Sequence, residues 1–173
     1  GNKNLSDKKL RKSMKETKRK RLWTIFKSSK LIKEEYKSDK KKIIERYNQN
    51  GYRDARIVKD TVYQVSKDRI AIDIEIEEGR KYYFGNIDWL GNTKYPNEVL
   101  NRIVRIRKGD IYDAKLLQER LFFDQNGNDI TSLYLDNGYL FFNVNPVEVR
   151  VDGDTIHYEM RMREGRQATI NKV

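Results

Sequence analysis

Few residues in this 173-residue chain have the type and spacing for covalent chemistry. Cysteine is absent, which excludes disulfides, thiolate nucleophiles and thiolate metal ligands. The one histidine, His157, falls on the polar side of an alternating strand pattern and reads as a surface residue rather than a base or a ligand. Asp124-Gln125-Asn126-Gly127-Asn128 has some look of a calcium loop. However, its glycine stands at the fourth position instead of the sixth, and Leu135 occupies the twelfth where glutamate is needed, so a turn is the better reading. Glu75, Glu77 and Glu78 are neighbours in sequence only and read as a solvated face. The ten glycines sit at caps, turns and strand ends and form no phosphate cradle. The expectation is a non-enzymatic chain without metal or cofactor.

Charge is the stronger signal. The chain carries +11 overall, and residues 1–50 hold 18 Lys+Arg against 6 Asp+Glu, or +12, whereas residues 51–173 hold 19 against 20, or −1. The densest part contains Lys8, Lys9, Arg11, Lys12, Lys15, Lys18, Arg19, Lys20 and Arg21, with Trp23 and Phe26 just beyond. Such a run fits a solvated helix face, a surface for anionic lipid or an acidic partner, or a nucleic-acid site. No recognised nucleic-acid motif accompanies it, so nucleic acid is the weakest of the three. No apolar run approaches the ~18 residues of a membrane-crossing helix. A signal-peptide pattern is also missing, and the chain reads as an excised piece.

The elements that must position these residues repeat. Tyr47-Asn48-Gln49-Asn50-Gly51-Tyr52 returns 87 residues later as Tyr134-Leu135-Asp136-Asn137-Gly138-Tyr139. Each copy closes a helical run with an Asn-Gly cap signal and opens a strand. Downstream, Ile70, Ile72, Ile74 and Ile76 alternate with polar residues, as do Ile156, Tyr158, Met160 and Met162 at an offset of 86. Period-two alternation predicts a sheet with one wet face. Both runs follow a turn, Ser66-Lys67-Asp68 or Asp152-Gly153-Asp154, and both end in Glu-Gly-Arg. Gly1-Asn2 and Gly91-Asn92 form a third landmark, each ahead of a short helix. Helices are predicted over 5–14, with Ser6 or Asp7 as cap, and over 31–49, with Ile32, Tyr36, Ile43, Ile44 and Tyr47 on one stripe. Residues 15–30 read as a loop or partly helical linker. Unit two reads as a strand Tyr82 to Leu90 with Trp89 in the core, a helix from Pro96 to Val104, and a helix capped by Asp113. That last helix is interrupted at 124–128 and resumes at Ile130. Strands are predicted over 52–65, 69–78 and from Tyr139 to Val151, and Pro146 marks the last as an edge.

The order strand–helix–helix–strand–strand resembles the POTRA domain. The resemblance rests on Phe84-Gly85-Asn86-Ile87 through Gly91-Asn92, Tyr134 through Gly138-Tyr139, and Glu164-Gly165, and its motifs recur over essentially the whole chain. It is nearest to periplasmic repeats of outer-membrane assembly factors. Trp23 and the basic helix up to Gly51-Tyr52 look like a second repeat, and Gly109-Asp110 through Phe142-Asn143 like a third, of the Bacteroidetes type. The fold expected is α+β, two tandem domains of three-stranded mixed sheet packed on two helices. Residues 1–79 would be a domain without its opening strand, 80–165 a complete one, and 166–173 the opening strand of another.

What the resemblance implies is a non-catalytic periplasmic module of an outer-membrane protein. Its partners would be nascent outer-membrane β-barrel proteins and accessory lipoproteins, with the membrane surface as a further partner and nucleic acid not among them. Clients would add as a strand to the exposed second strand of each repeat. The edges are Asp54, Ala55, Arg56, Ile57, Val58, Lys59 and Asp60 in one repeat, and Leu140, Phe141, Phe142, Asn143, Val144, Asn145 and Val147 in the other. A passive spacer beneath a barrel is the alternative. Residues 166–173 are expected to fill the vacant strand position of a second copy.

Overall fold

In chain order the elements are α1 (Asp7–Ser13), α2 (Lys33–Asn48), β1 (Arg56–Ser66), β2 (Arg69–Glu77), β3 (Tyr83–Leu90), α3 (Asn97–Val104), α4 (Ala114–Phe122), α5 (Ile130–Asp136), β4 (Asn143–Asp152) and β5 (Thr155–Arg163). They come from a computed structural model in which residues 2–17, 33–67 and 69–168 are described. The chain falls into two units, residues 1–80 and 81–173.

Unit two shows why the alternation matters. Its sheet has the order β3-β5-β4, with β3 parallel to β5 and β4 antiparallel to it. β5 is therefore central, and its apolar positions Ile156, Tyr158, Met160 and Met162 are all buried. They meet Phe84 and Trp89 of β3 and the helix residues Leu100, Val104, Leu117, Leu121, Ile130 and Tyr134 in one core. Each such fully buried aliphatic side chain contributes about 1.5–3 kcal/mol from apolar burial. Asp113 caps α4 by accepting the N–H groups of Lys115 and Leu116, and Asp129 caps α5 by accepting that of Ser132. Among the described residues β4 pairs on one side only, which explains how it tolerates Pro146, a residue with no N–H for a second ladder. This mixed α+β architecture is the one expected.

In unit one the described residues form a two-stranded antiparallel sheet, β1-β2. Its core joins Leu5 and Leu10, Ile43 and Tyr47 of α2, Tyr52, Ala55 and Ile76. The α2 stripe holds Tyr36, Ile43 and Tyr47 as expected, and Asp39 is buried with them. Its carboxylate accepts the backbone N–H groups of Lys15, Glu16 and Thr17 and the Lys42 ammonium at 3.1 Å. Those bonds outweigh burial, which by itself would raise its pKa, and hold Asp39 below the usual carboxylate value.

Three expectations need correction. First, His157 is buried. Its Nδ1 accepts the Asn86 N–H at 3.2 Å, and its Nε2 stands 3.5 Å from Asp152. The ring fits because Gly85 has no side chain; a Cβ there would lie 2.8 Å from it. Second, Glu78 is buried rather than part of a solvated face. Third, both edge strands begin later than expected. Asp54 and Ala55 precede β1, in a turn closed by Ala55 N–H on the Tyr52 carbonyl. Leu140, Phe141 and Phe142 precede β4, in the matching turn closed by Phe142 N–H on the Tyr139 carbonyl. Apolar side chains made Leu140–Phe142 read as strand, yet Leu140 and Phe141 are exposed.

Candidate strand-docking edges and the carboxylate locks behind them

A buried glutamate follows the partner strand of each edge strand, next to the residue paired with that edge strand's first position. Glu78 follows β2 and receives hydrogen bonds from Lys3 N–H (2.9 Å), Asn4 N–H (3.0 Å), Asn4 Nδ2 (2.6 Å) and the Tyr47 hydroxyl (2.9 Å). Glu164 follows β5 and receives Thr93 N–H and Lys94 N–H (both 2.9 Å), the Thr93 hydroxyl, and the Tyr134 hydroxyl (2.8 Å). Burial by itself would raise the pKa of either carboxyl, but these donors overcome it and hold both below the usual value. The tyrosines shift the other way: burial first, and then the facing glutamate, push Tyr47 and Tyr134 up.

The lock ties a strand end, a helix end and a loop together. Tyr47 and Tyr134 lie near the C-termini of α2 and α5, and their carbonyls accept Tyr52 N–H and Tyr139 N–H at 3.0 Å each. The loop side is copied as well. Asn2 Nδ2 donates to the Leu5 carbonyl and to Asp7, and Asn92 Nδ2 to the Tyr95 carbonyl and to Asn97. Gly79 and Gly165, at φ 71° and 70°, take the left-handed conformation that glycine favours. A Cβ there would meet Asp54 or Phe141, respectively, in the turn ahead of the edge strand. The sequence signal for the lock was the repeated Glu-Gly-Arg; what it could not show was that the carboxylate turns inward.

Of the residues expected at the edges, Arg56, Ile57, Val58, Lys59 and Asp60 lie on β1, and Asn143, Val144, Asn145 and Val147 on β4. β1 carries exposed Val58, Val62, Tyr63 and Val65. Beside it runs a groove of about 510 Å³ lined by Lys37, Lys40, Lys41, Ile44 and Glu45 of α2 and by Ile57 and Asp60 of β1. Lys40 bridges the groove to Asp60 at 2.8 Å and lies over the Tyr36 ring, 4.9 Å from its centroid. Burial and then Asp60 push the Tyr36 hydroxyl up to about 12. Sequence reasoning missed these lysines because their meeting with β1 is non-local. Unit two has a larger recess of about 990 Å³, but its lining includes Gly85–Asp88 of β3, the opposite edge of the sheet from β4.

Of the basic residues, Lys8, Lys9, Arg11 and Lys12 are exposed on α1, and Lys15 is exposed just after it. Arg11 pairs with Asp7 at 3.2 Å. Lys18, Arg19, Lys20 and Arg21 lie outside the described residues, as do Trp23, Phe26, Ile32 and 169–173. Ala168 N–H bonds the Gly138 carbonyl and Gln167 Nε2 that of Asn137. Among the described residues no group of His, Asp and Glu is arranged to hold a metal ion, and no helix is long and apolar enough to cross a membrane.

The POTRA family profile, described as surface antigen variable number repeat, matches residues 1–79 and 82–165. The chain belongs to the POTRA family. It is similar to the outer membrane protein assembly factor BamA of Neisseria meningitidis serogroup B, 27% identical over 61% of this chain and 15% of that protein. It is also similar to a putative outer membrane protein assembly factor of Treponema pallidum, 23% identical over 79% of this chain and 16% of that protein. The chain thus spans about a sixth of those relatives. Among solved structures, the third to fifth POTRA domains of Haemophilus influenzae BamA match with TM-score 0.61 and 20% identity over 96% of this chain and 64% of that one. BamA of Haemophilus ducreyi lacking POTRA domains 1–3 matches with TM-score 0.56 and 18% identity over 90% of this chain and 27% of that one. Both matched repeats carry the same lock, placed just after β2 in one and β5 in the other.

Proposed function

We propose that this chain is a non-catalytic docking module in the periplasm, part of an outer-membrane β-barrel assembly protein, and that it holds nascent barrel segments and accessory subunits by strand addition. The observation that carries this reading is β1. It is an eleven-residue strand that, among the described residues, is paired on one side only, with exposed valines and a groove beside it. An open strand presents unpaired N–H and C=O groups to any extended partner, and backbone pairing tolerates many sequences. β4 is the second, poorer edge, because Pro146 lacks a donor. The similarity to assembly factors supplies the class of partner.

The test is an amide NMR titration with a peptide copied from the last strand of an outer-membrane barrel. Shifts concentrated at Arg56–Ser66, weakened by Val58→Pro, support docking on β1. Shifts confined to Lys8–Lys15 would move the contact to the basic helix. No shift at millimolar peptide would leave a passive spacer.

A further inference from the structure

The groove beside β1 has a charge layout that strand addition by itself does not require. Its rim holds Lys37 and Lys41, both exposed, and neither forms an ion pair with a described residue, whereas Lys40 is committed to Asp60. One helical turn further on, the lining is apolar at Ile44, joined by Ile57 of β1. Glu45 stands at that far end. The groove is therefore cationic at one end and apolar with an acidic rim at the other. Lys37 and Lys41 are one turn apart, about 6 Å. Alternate residues of an extended strand are about 6.7 Å apart and share a face. A strand laid on β1 can thus bring two same-face side chains to successive stations of the groove.

We infer that unit one selects extended segments in which a carboxylate stands two residues from a large apolar side chain, the carboxylate meeting Lys37 and Lys41 and the apolar group covering Ile44 and Ile57. This rests on strand addition to β1. The partner class is an acidic-apolar strand of another protein. Glu45 disfavours a second carboxylate at the apolar end and so sets the direction in which the strand lies. The chain's overall charge of +11 attracts any acidic peptide, so position has to be separated from bulk charge.

Three ten-residue peptides make the separation, identical except for Glu, Gln or Lys two residues before a central Phe. Binding is followed by amide shifts at 0.15 M salt. The Glu peptide should bind about 1.5- to fivefold tighter than the Gln peptide, the range for an exposed ion pair, with the Lys peptide weakest. The double variant Lys37→Glu/Lys41→Glu should reverse the order, and its amide spectrum reports that α2 is still folded. Lys8→Glu/Lys12→Glu changes the net charge equally and should leave the order intact. Equal affinities with shifts still on β1 would overturn the selectivity while leaving strand addition standing. An order that follows net charge in both variants would overturn it too. Absence of shifts on β1 with every peptide would remove strand addition itself.

Discussion

Ile70 and Ile156 occupy the same place in two copies of one pattern, yet the first is 49% exposed and the second 0%. Both open an alternating strand that ends in a locked glutamate. The difference is what lies alongside. β5 is flanked by β3 and β4, and Phe84 and Tyr112 form rings over Tyr158. β2 has only β1 beside it among the described residues, and burial along it falls from Ile76 through half-buried Ile74 and Ile72 to Ile70. The lock thus organises the end of the sheet nearest the helices, while the neighbouring strand decides how far the core extends from there.

Truncation should expose that difference most. Ile156→Ala is expected to cost about 4 kcal/mol, and Ile70→Ala no more than about 0.5 kcal/mol, read by urea denaturation with amide resonances reporting each unit. Comparable losses would mean that Ile70 is covered as Ile156 is. The lock should instead behave alike in both units. Glu164→Ala strands the Thr93 and Lys94 N–H groups and the Tyr134 hydroxyl, and Glu78→Ala strands those of Lys3, Asn4 and Tyr47. Each is expected to cost about 3 kcal/mol, confined to its own unit. A loss in unit two alone would show that the lock needs the third strand. Gly85→Ala touches only the complete sheet. It forces a Cβ onto the His157 ring and should cost about 2 kcal/mol, most of it recovered in Gly85→Ala/His157→Ala.

Much of this was legible from local pattern. Alternation at 156–162 predicted a strand with one buried face, Asp113 marked the helix cap of α4, and Pro146 marked an edge. The errors share a cause: each residue's environment is made by a segment far away in sequence. Glu78 is buried because Lys3 and Asn4 return to it from 75 and 74 residues away. His157 is buried because a glycine 72 positions earlier leaves room for its ring. Leu140–Phe142 looked like strand by composition, but the Tyr139 carbonyl closes a turn there. The groove is illegible for the same reason, since helix periodicity places Lys37, Lys41 and Ile44 on α2 without saying that β1 lies opposite.

The two locks are alike enough to make a pH prediction that separates them only by mutation. In each, the folded carboxyl is held below its usual pKa by several donors, so the unfolded chain binds more protons in the acid range. The stabilisation is then fully present above the usual carboxylate pKa, about 4.3, and is lost as pH falls through the lower folded value. The tyrosines work in the opposite sense. Burial and the facing glutamate push their hydroxyls up, so the folded state keeps its protons longer, and stability falls as pH rises past the usual tyrosine value of about 10. The same buried cluster, a tyrosine donating to a glutamate that further donors also hold, therefore bounds the stable range of each unit on both sides. Glu164→Gln should remove the lock's acid-side loss from unit two and leave it in unit one, followed by unit-resolved denaturation from pH 7 to pH 3. If unit two kept its full acid sensitivity in that variant, the sensitivity would belong to some other carboxylate, and the lock would be a neutral packing contact.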